Sequence, residues 1–227
     1  MTERINQLPQ KICTGRALMK SLILTAILIS ALSIIAVPAA DSPAGFQQVP
    51  EPTTAPNPAR VEVMEFFWYG CPYCNLFEPQ VESWLASKPD NMDFIRIPAV
   101  IRPGWSNHAR AFYTAETLGV LDPLHDRLFA AIHKEGQDLN NLDELAAIFS
   151  RQGIDRARFE KAFNSDEVNR KVQEAGILTR RYGVDSVPAI VVNGQYRTNP
   201  VLAGGASRIL DAVNELIASV QKQSAQP

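Results

Sequence analysis

Residues 61–75, VEVMEFFWYGCPYCN, join a predicted β-strand directly to a predicted α-helix. The first eight of these residues are almost all apolar and rich in β-branched and aromatic side chains, which is typical of a central strand covered on both faces. Gly70 ends the strand, and Pro72 is suited to the first turn of a helix. The sequence therefore predicts that Cys71 and Cys74 lie at a strand-to-helix junction.

The helix that begins at Pro72 is predicted to continue to Lys88, because apolar residues recur at helical spacing and Lys88 precedes a proline. Pro79 predicts a kink within this helix. Residues 94–100 predict a second strand. A β-α-β unit of this kind requires a right-handed crossover and parallel strands.

The remainder of the chain predicts a helical region followed by a hairpin and a last helix. Residues 105–182 contain four or five predicted helices. A strand over 187–192 is followed by Asn193-Gly194, a strong hairpin turn, and by a pairing strand over 195–199. Residues 207–220 predict an amphipathic helix. This order indicates an α/β protein with a thioredoxin-like fold and an inserted all-helical subdomain.

The N-terminal region has the pattern of a secretory signal peptide. Residues 21–37 are apolar or small, follow basic residues and precede small residues suited to cleavage after Ala39 or Ala40. Met19 is an alternative start that would give a shorter signal. An uncleaved membrane anchor is the other interpretation, although the apolar run is slightly short of the ~20 residues that a bilayer requires. Both interpretations predict export.

The domain boundaries follow from these patterns. We assign 1–40 to the signal peptide, 41–60 to an extended, unpacked Pro-rich lead-in, 61–104 and 183–222 to the thioredoxin-like domain, 105–182 to the helical insertion and 223–227 to a tail. The formal net charge is −2, and no Lys/Arg run is present, so nucleic acid is not an expected partner. The lead-in is too short for a dimerisation module, and we expect a monomer.

The two cysteines of the exported chain indicate redox chemistry. Cleavage of the signal removes Cys13, and a disulfide between Cys71 and Cys74 closes too short a loop to stabilise the fold much. At a helix N-terminus, unpaired N–H groups and the helix dipole favour a thiolate on Cys71, the predicted nucleophile. Cys74, one turn further, is placed to resolve a mixed disulfide.

The cysteine pair has two alternative interpretations, a zinc site and a structural disulfide. A closed zinc site needs four ligands, and the histidines that could complete it, His108, His125 and His133, lie at no suitable spacing. We interpret each histidine as a surface or packing residue. We expect no metal and no bound cofactor, since the redox-active group would be the Cys71–Cys74 disulfide itself.

Glu65 interrupts the apolar run of the first predicted strand. A buried carboxylate is costly, so Glu65 either finds a partner or accepts a proton. Arg96 on the neighbouring predicted strand is a candidate counter-ion. The alternative is that Glu65 lies at a frayed or solvated edge of the sheet.

The chain resembles the DsbA family of bacterial periplasmic thiol-disulfide interchange proteins. The resemblance rests on EFFWYGCPYCNLFEP at residues 65–79, on the helical insertion, and on VPAIVVNG at residues 187–194. It implies that Pro188 is cis and faces the cysteines, and that the Val187 backbone pairs with the client peptide. It also implies that Glu65 lies beneath the cysteine pair and helps to deprotonate the buried thiol. An ordinary trans proline is the alternative at Pro188.

One position departs from the family pattern. Tyr73 stands where the oxidases of the family most often have histidine. The residues between the cysteines, Pro72 and Tyr73, tune the thiolate and hence the redox potential. A neutral tyrosine stabilises the thiolate less than histidine does, so we expect a less oxidising protein than a CPHC relative.

These observations predict a dithiol oxidase in the periplasm of a Gram-negative bacterium. Its substrates would be reduced exported proteins, and the resemblance implies reoxidation by a quinone-linked membrane partner of the DsbB type. A disulfide reductase or isomerase of the same fold is one alternative. A thiol-based carrier of copper or zinc and a purely structural interaction module are the others.

Overall fold

The structure, a computed structural model, describes residues 42–53, 57 and 59–224, so the predicted signal peptide lies outside the described residues. Five strands form one mixed sheet in the order β1-β5-β4-β2-β3. The strands are β1 (Gln47–Gln48), β2 (Val61–Phe67), β3 (Met92–Pro98), β4 (Ala189–Val192) and β5 (Tyr196–Thr198).

The described residues also include seven α-helices. They are α1 (Pro72–Leu85), α2 (Ser106–Thr117), α3 (Leu121–His133), α4 (Leu142–Ser150), α5 (Arg156–Phe163), α6 (Asp166–Arg181) and α7 (Ile209–Ser224). Helices α2 to α6 form the insertion between β3 and β4, which confirms the predicted fold class. None of the helices in the described part of the chain is long and apolar enough to cross a bilayer.

Strand β2 fixes the position of the cysteine pair. It pairs in parallel with β3 and antiparallel with β4, so both of its edges are hydrogen-bonded. The side chains of Val63, Phe66 and Phe67 on this strand are completely buried. Because β2 is anchored on both edges and both faces, the turn that follows it has little freedom to move.

Two apolar cores cover the two faces of the sheet. The larger core contains Phe67, Phe112 and Phe129 and joins the sheet to the helical insertion. The smaller core contains Phe77 and Val213 and joins the sheet to α1 and α7. Complete burial of one such phenylalanine contributes about 1.5–3 kcal/mol. The site between β2 and α1 therefore rests on a rigid base.

The lead-in differs from its predicted unpacked form. Strand β1 pairs antiparallel with β5, and the side chains of Phe46 and Val49 on either side of it are buried. The two apolar side chains anchor the polar pair Gln47–Gln48 at the edge of the sheet. The prediction of an unpacked segment was wrong because edge pairing requires no apolar alternation in the strand itself.

Smaller differences concern element ends. Helix α1 runs through Pro79 and ends at Leu85, three residues before Lys88. Strand β4 begins at Ala189, because the Val187–Pro188 peptide bond is cis and turns the chain before the strand starts.

Candidate active site

Cys71 occupies the N-cap position of helix α1. Its backbone is extended, with φ −87° and ψ 116°, and its Sγ accepts a hydrogen bond from the backbone N–H of Cys74 at 3.4 Å. Pro72 lies at the start of the helix, where its missing N–H leaves no donor unpaired. The sequence Cys-Pro-Tyr-Cys thus directs the free N–H groups of the first turn toward the sulfur of Cys71.

The two thiols have opposite environments. A hydrogen bond from the Cys74 side chain lowers the pKa of Cys71 to about 6, and backbone N–H groups of Cys74 and Tyr73 act in the same direction. Burial raises the pKa of Cys74 well above the usual value for a thiol, and its contact with Cys71 raises it further. Cys71 is therefore the thiolate at neutral pH, and Cys74 keeps its proton.

The loop before β4 faces the cysteine pair. The Val187–Pro188 peptide bond is cis, in agreement with what the family resemblance implies. The carbonyl oxygen of Val187 lies 3.5 Å from Cys71 Sγ. The backbone of residue 187 is therefore at the reacting sulfur, where an extended peptide joined to Cys71 would reach it.

A group of carboxylates surrounds one arginine next to Cys74. We refer to Glu65, Glu78, Glu82 and Arg96 as the carboxylate cluster. Arg96 Nη2 lies 2.5 Å from both Glu78 Oε1 and Glu82 Oε1, whereas Arg96 Nε lies 3.5 Å from Glu65 Oε2. The predicted Arg96 contact is thus present, but the guanidinium binds two further carboxylates more closely.

Glu65 has the least favourable place in the carboxylate cluster for a negative charge. Its side chain is completely buried, and neither carboxyl oxygen has a hydrogen-bond partner within the described residues. Burial, followed by the charge of Glu78, raises the pKa of Glu65 to about 8 despite the opposing effect of Arg96. Glu65 therefore carries a proton at neutral pH. When Glu65 is ionised, its negative charge raises the pKa of Cys74.

Four residues of the site, Tyr69, Glu78, Glu82 and His125, were not identified from the sequence. Glu78 lies four residues after Cys74 on α1, and this spacing alone would have placed both side chains on one helix face. His125 contacts Glu78, and Tyr69 hydrogen-bonds His125 at 2.9 Å between its hydroxyl and Nδ1. No sequence signal indicated the last two contacts, because they join distant segments of the chain.

The other histidines are held by backbone groups. His108 Nε2 hydrogen-bonds the carbonyl oxygen of Asp138 at 3.0 Å, and His133 Nε2 hydrogen-bonds that of Tyr69 at 2.8 Å. Both are packing residues, as interpreted from the sequence. No group of three or more His, Cys, Asp or Glu side chains in the described part of the chain is arranged to hold a metal ion.

Aromatic rings fix the turn that precedes Cys71. The rings of Trp68 and Trp105 stack with centroids 4.2 Å apart and planes 2° from parallel. A Cβ atom at Gly70 would lie 2.3 Å from the ring of Trp68. Gly70 is therefore required by close packing, and any side chain there would displace Trp68 next to the cysteine pair.

The surface around the site carries exposed apolar side chains. Tyr73 and Leu76, at the start of α1, are 67% and 66% exposed. Exposed apolar residues beside a reactive thiol suit contact with unfolded peptide segments. Exchange between a dithiol and a disulfide is the chemistry that such a thiolate and its buried neighbour perform. Fold and site together define a thiol-disulfide oxidoreductase.

Comparison with known proteins identifies the family. The DSBA-like thioredoxin domain family matches residues 62–217, and the chain belongs to this family. The chain is 39% identical over 189 residues to the thiol:disulfide interchange protein DsbA of Azotobacter vinelandii, with 82% of this chain and 87% of that protein covered. It is 37% identical over 202 residues to DsbA of Pseudomonas aeruginosa, with 88% and 96% covered.

Solved structures agree with this assignment. The crystal structure of Pseudomonas aeruginosa DsbA matches with a TM-score of 0.75 and 33% identity, and the match covers 81% of this chain and 95% of that one. The oxidoreductase DsbA of Xylella fastidiosa matches with a TM-score of 0.72 and 29% identity, over 80% and 96% of the two chains. The protein is a protein thiol-disulfide oxidoreductase of the DsbA type.

Proposed function

We propose that the protein is a periplasmic dithiol oxidase that introduces disulfide bonds into exported proteins through Cys71 and Cys74. The observation that carries this proposal is the position of Cys71 at the N-cap of α1, where hydrogen bonds from Cys74 hold its pKa at about 6. Stabilising the Cys71 thiolate stabilises the reduced form of the site. A site whose reduced form is stabilised accepts electrons readily and acts as an oxidant.

The reaction begins from the oxidised site. A client thiolate attacks Cys71 Sγ, the Cys71–Cys74 bond breaks, and the electron pair of that bond passes to Cys74. A second client thiolate then attacks the client sulfur of the mixed disulfide. The client leaves with a new disulfide, Cys71 leaves as a thiolate, and the protein has gained two electrons. The disulfide of the protein is the redox group, and we propose no bound cofactor and no metal.

Glu65 is the proposed proton donor and acceptor for Cys74. When Cys74 leaves the disulfide as a thiolate, protonated Glu65 supplies the proton that the buried sulfur needs. In the reverse direction the Glu65 carboxylate accepts that proton before Cys74 attacks. A pKa of about 8 suits both directions near neutral pH.

Val187 and Pro188 form the proposed binding edge for the client. A proline has no N–H, and the Val187 carbonyl oxygen already faces Cys71 Sγ at 3.5 Å. An extended client segment would pair with the backbone at Val187, as in β-strand addition. Pairing through the backbone accepts many sequences, which suits an enzyme with many clients.

Export and reoxidation complete the proposal. The N-terminal pattern of residues 1–40 supports export to the periplasm of a Gram-negative bacterium, where disulfides persist. A reduced site must lose two electrons before it can act again. A quinone-linked membrane protein of the DsbB type is the proposed acceptor, and we propose that the protein acts as a monomer.

The equilibrium redox potential tests the direction of the reaction. The purified protein is equilibrated in glutathione buffers, and its redox state is followed by tryptophan fluorescence and by thiol alkylation. A potential well above that of the glutathione couple supports the oxidase. A potential near that of thioredoxin would instead establish a reductase. Metal content of the same preparation tests the remaining alternative, a copper or zinc carrier.

A further inference from the structure

His125 of helix α3 connects the helical insertion to the carboxylate cluster. Its ring is buried, with Nδ1 2.9 Å from the Tyr69 hydroxyl and Nε2 3.3 Å from Glu78 Oε1. Aromatic rings pack edge-on around it and prevent the imidazole from turning away from Glu78. These rings belong to Phe67, Phe112 and Phe129.

The hydrogen bond with Tyr69 determines what His125 presents to Glu78. Burial raises the pKa of Tyr69 well above its usual value, so its hydroxyl keeps the proton and can donate it to Nδ1. The imidazole hydrogen is then on Nε2, which faces the Glu78 carboxylate. The Nε2 contact is too poorly aligned for a normal hydrogen bond. The contact between His125 Nε2 and the Glu78 carboxylate is therefore mainly an electrostatic attraction.

This attraction affects the ionisation of Glu78. Burial alone would raise the pKa of Glu78, but His125 and Arg96 outweigh burial and hold it below the usual value. Glu78 is therefore a carboxylate at neutral pH. The negative charge on Glu78 is the second cause, after burial, of the raised pKa of Glu65. The effect of His125 thus reaches Glu65 through one intervening group.

A cavity gives Glu78 access to solvent. The cavity has a volume of about 380 Å³ and lies between α1 and α3, with Glu78, Phe129 and Lys134 in its wall. Glu78 can exchange protons through this cavity, whereas Glu65 is completely buried. His125 lies on α3, one of the two helices that form the cavity, and contacts Glu78, so it is placed to influence the charge at the inner end of this route.

We propose that His125 is a positioning residue for disulfide exchange, acting through Glu78 on the step in which Cys74 gains or loses its proton. This inference rests on the proposed role of Glu65 in that step. Of the titratable groups around His125, Tyr69 and Glu78 contact its ring directly. Glu65 and Glu82 share Arg96 with Glu78. His108 packs on Tyr69, whereas Asp126 on α3 and Lys134, just after the end of α3, lie in the wall of the cavity.

The test measures how fast Cys74 closes the disulfide at different pH values. Reduced full-length protein is mixed with oxidised glutathione, which forms a mixed disulfide at Cys71. Closure by Cys74 is the phase whose rate does not depend on the glutathione concentration, and acid quenching with mass spectrometry follows it from pH 5 to 9. In the wild type the closure rate should rise with pH with a midpoint near the Glu65 pKa of about 8.

Replacing His125 should move this midpoint. His125→Phe keeps the aromatic packing but removes Nε2, so Glu78 becomes easier to protonate and repels the Glu65 charge less. We expect the midpoint to fall by about 0.5–1 pH unit. Glu78→Gln should lower it similarly, and adding His125→Phe to Glu78→Gln should produce no further shift, because both changes act on one interaction.

Matched variants separate this role from a structural one. His133→Phe changes a histidine on the same helix that hydrogen-bonds the Tyr69 backbone carbonyl and stacks on Phe129. Phenylalanine keeps the stacking, and the variant should leave the midpoint unchanged. His125→Gln keeps an N–H directed at Glu78 and should stay near the wild-type midpoint. If His125→Phe does not fold, His125→Asn, whose amide is too short to reach Glu78, takes its place.

The outcomes separate this inference from the proposed function. A wild-type midpoint in the His125 variant, or an equal shift in the presence and absence of Glu78, would overturn the role of His125. Glu65→Gln should flatten the profile. If Glu65→Gln keeps the midpoint near pH 8, the proposed role of Glu65 fails instead, whatever the His125 variant does.

Discussion

The two halves of the cysteine site use different physical means to control a thiol. On the Cys71 side, backbone N–H groups at a helix N-terminus and a neighbouring thiol stabilise negative charge at a sulfur that a client can reach. On the Cys74 side, burial and the carboxylate cluster oppose negative charge. The Cys71 side needs only a short local sequence, whereas the Cys74 side needs three separate segments of the chain.

The comparison shows that stabilisation of the Cys71 thiolate and control of the proton on Cys74 depend on different parts of this fold. The Cys71 side, which we call the local half, could be transferred to another protein with the four residues of the Cys-Pro-Tyr-Cys motif. The Cys74 side, which we call the long-range half, requires that β2, α1, β3 and α3 pack together. Each prediction below changes one half and asks whether the other half responds.

Removing either sulfur should have the largest effect, and the two variants should fail differently. Cys71→Ser should lose all exchange, because the low-pKa thiol that reacts with the client is removed. Cys74→Ser should lose turnover but accumulate mixed disulfides, because its Cys71 thiolate attacks a client disulfide, one client sulfur leaves as a thiolate, and nothing resolves the product. Non-reducing gels of each reduced variant with an unfolded client that contains a disulfide show the difference. Accumulation with Cys71→Ser instead would reverse the assignment of the two cysteines.

Replacing Glu65 should change the stability of the reduced protein with pH. The folded-state pKa of Glu65 is about 8, against an ordinary value of 4.5. Glu65 therefore gives the folded protein an extra proton between these pH values, and its contribution to the free energy of unfolding should fall as pH rises through them. Glu65→Gln should remove this fall and be more stable than the wild type at pH 8 by a few kcal/mol.

Urea unfolding of the reduced protein at pH 5 and pH 8 measures this change. Glu174→Gln, at a side chain that is 60% exposed, is the matched control and should follow the wild type. Equal pH dependence in Glu65→Gln and the wild type would show that Glu65 is ionised throughout.

The Cys71 side should show the opposite slope. The pKa of Cys71 is about 6 in the folded protein, against an ordinary value of 9.0. Cys71 therefore holds less proton in the folded than in the unfolded state between these values, and its contribution to the free energy of unfolding should rise with pH. Iodoacetamide should alkylate Cys71 with a midpoint near pH 6. In Cys74→Ala, which removes the main hydrogen bond, the midpoint should rise by about one unit.

A midpoint in Cys74→Ala that equals the wild-type value would assign the low pKa of Cys71 to the helix N-terminus alone. That result would make the two halves of the site independent. The predicted rise would show that each thiol sets the pKa of the other.

The smallest expected effect is that of replacing Tyr73, which lies between the two cysteines. Tyr73→His places an imidazole near the Cys71 thiolate, and histidine stabilises a thiolate more than tyrosine does. We therefore expect a redox potential that is more oxidising by about 30 mV. Tyr73 is 67% exposed, so the free energy of unfolding of the oxidised protein should change by less than about 0.5 kcal/mol. Glutathione equilibration measures the potential, and a less oxidising variant would contradict the prediction.

The local half of the site could be predicted from the sequence. The strand, Gly70, Pro72 and the two cysteines follow one another without interruption, so periodicity and helix-capping rules are sufficient to place them. The motif at residues 187–194 identified the cis proline through the family resemblance. Glu65 was found because a carboxylate in the middle of an apolar run is conspicuous.

The long-range half could not be predicted in the same way. Tyr69 and His125 are 56 residues apart, and their contact depends on how α3 packs on the sheet. His125 and the packing residue His133 lie on the same helix, and neither is at a spacing that indicates a site. The sequence therefore does not distinguish them. Strand β1 was missed for a related reason, because its partner β5 lies near the other end of the chain.

The order of the strands also bears on how the protein is made. Gln47 of β1 contacts Arg197 of β5 across 150 residues of chain, and β4 is completed only after the whole insertion. Chains are synthesised from the N-terminus, so both cysteines are present long before the sheet and the carboxylate cluster can form. During that interval they are ordinary thiols with an ordinary pKa. An enzyme that oxidises other nascent chains must therefore pass through a stage in which it resembles its own clients.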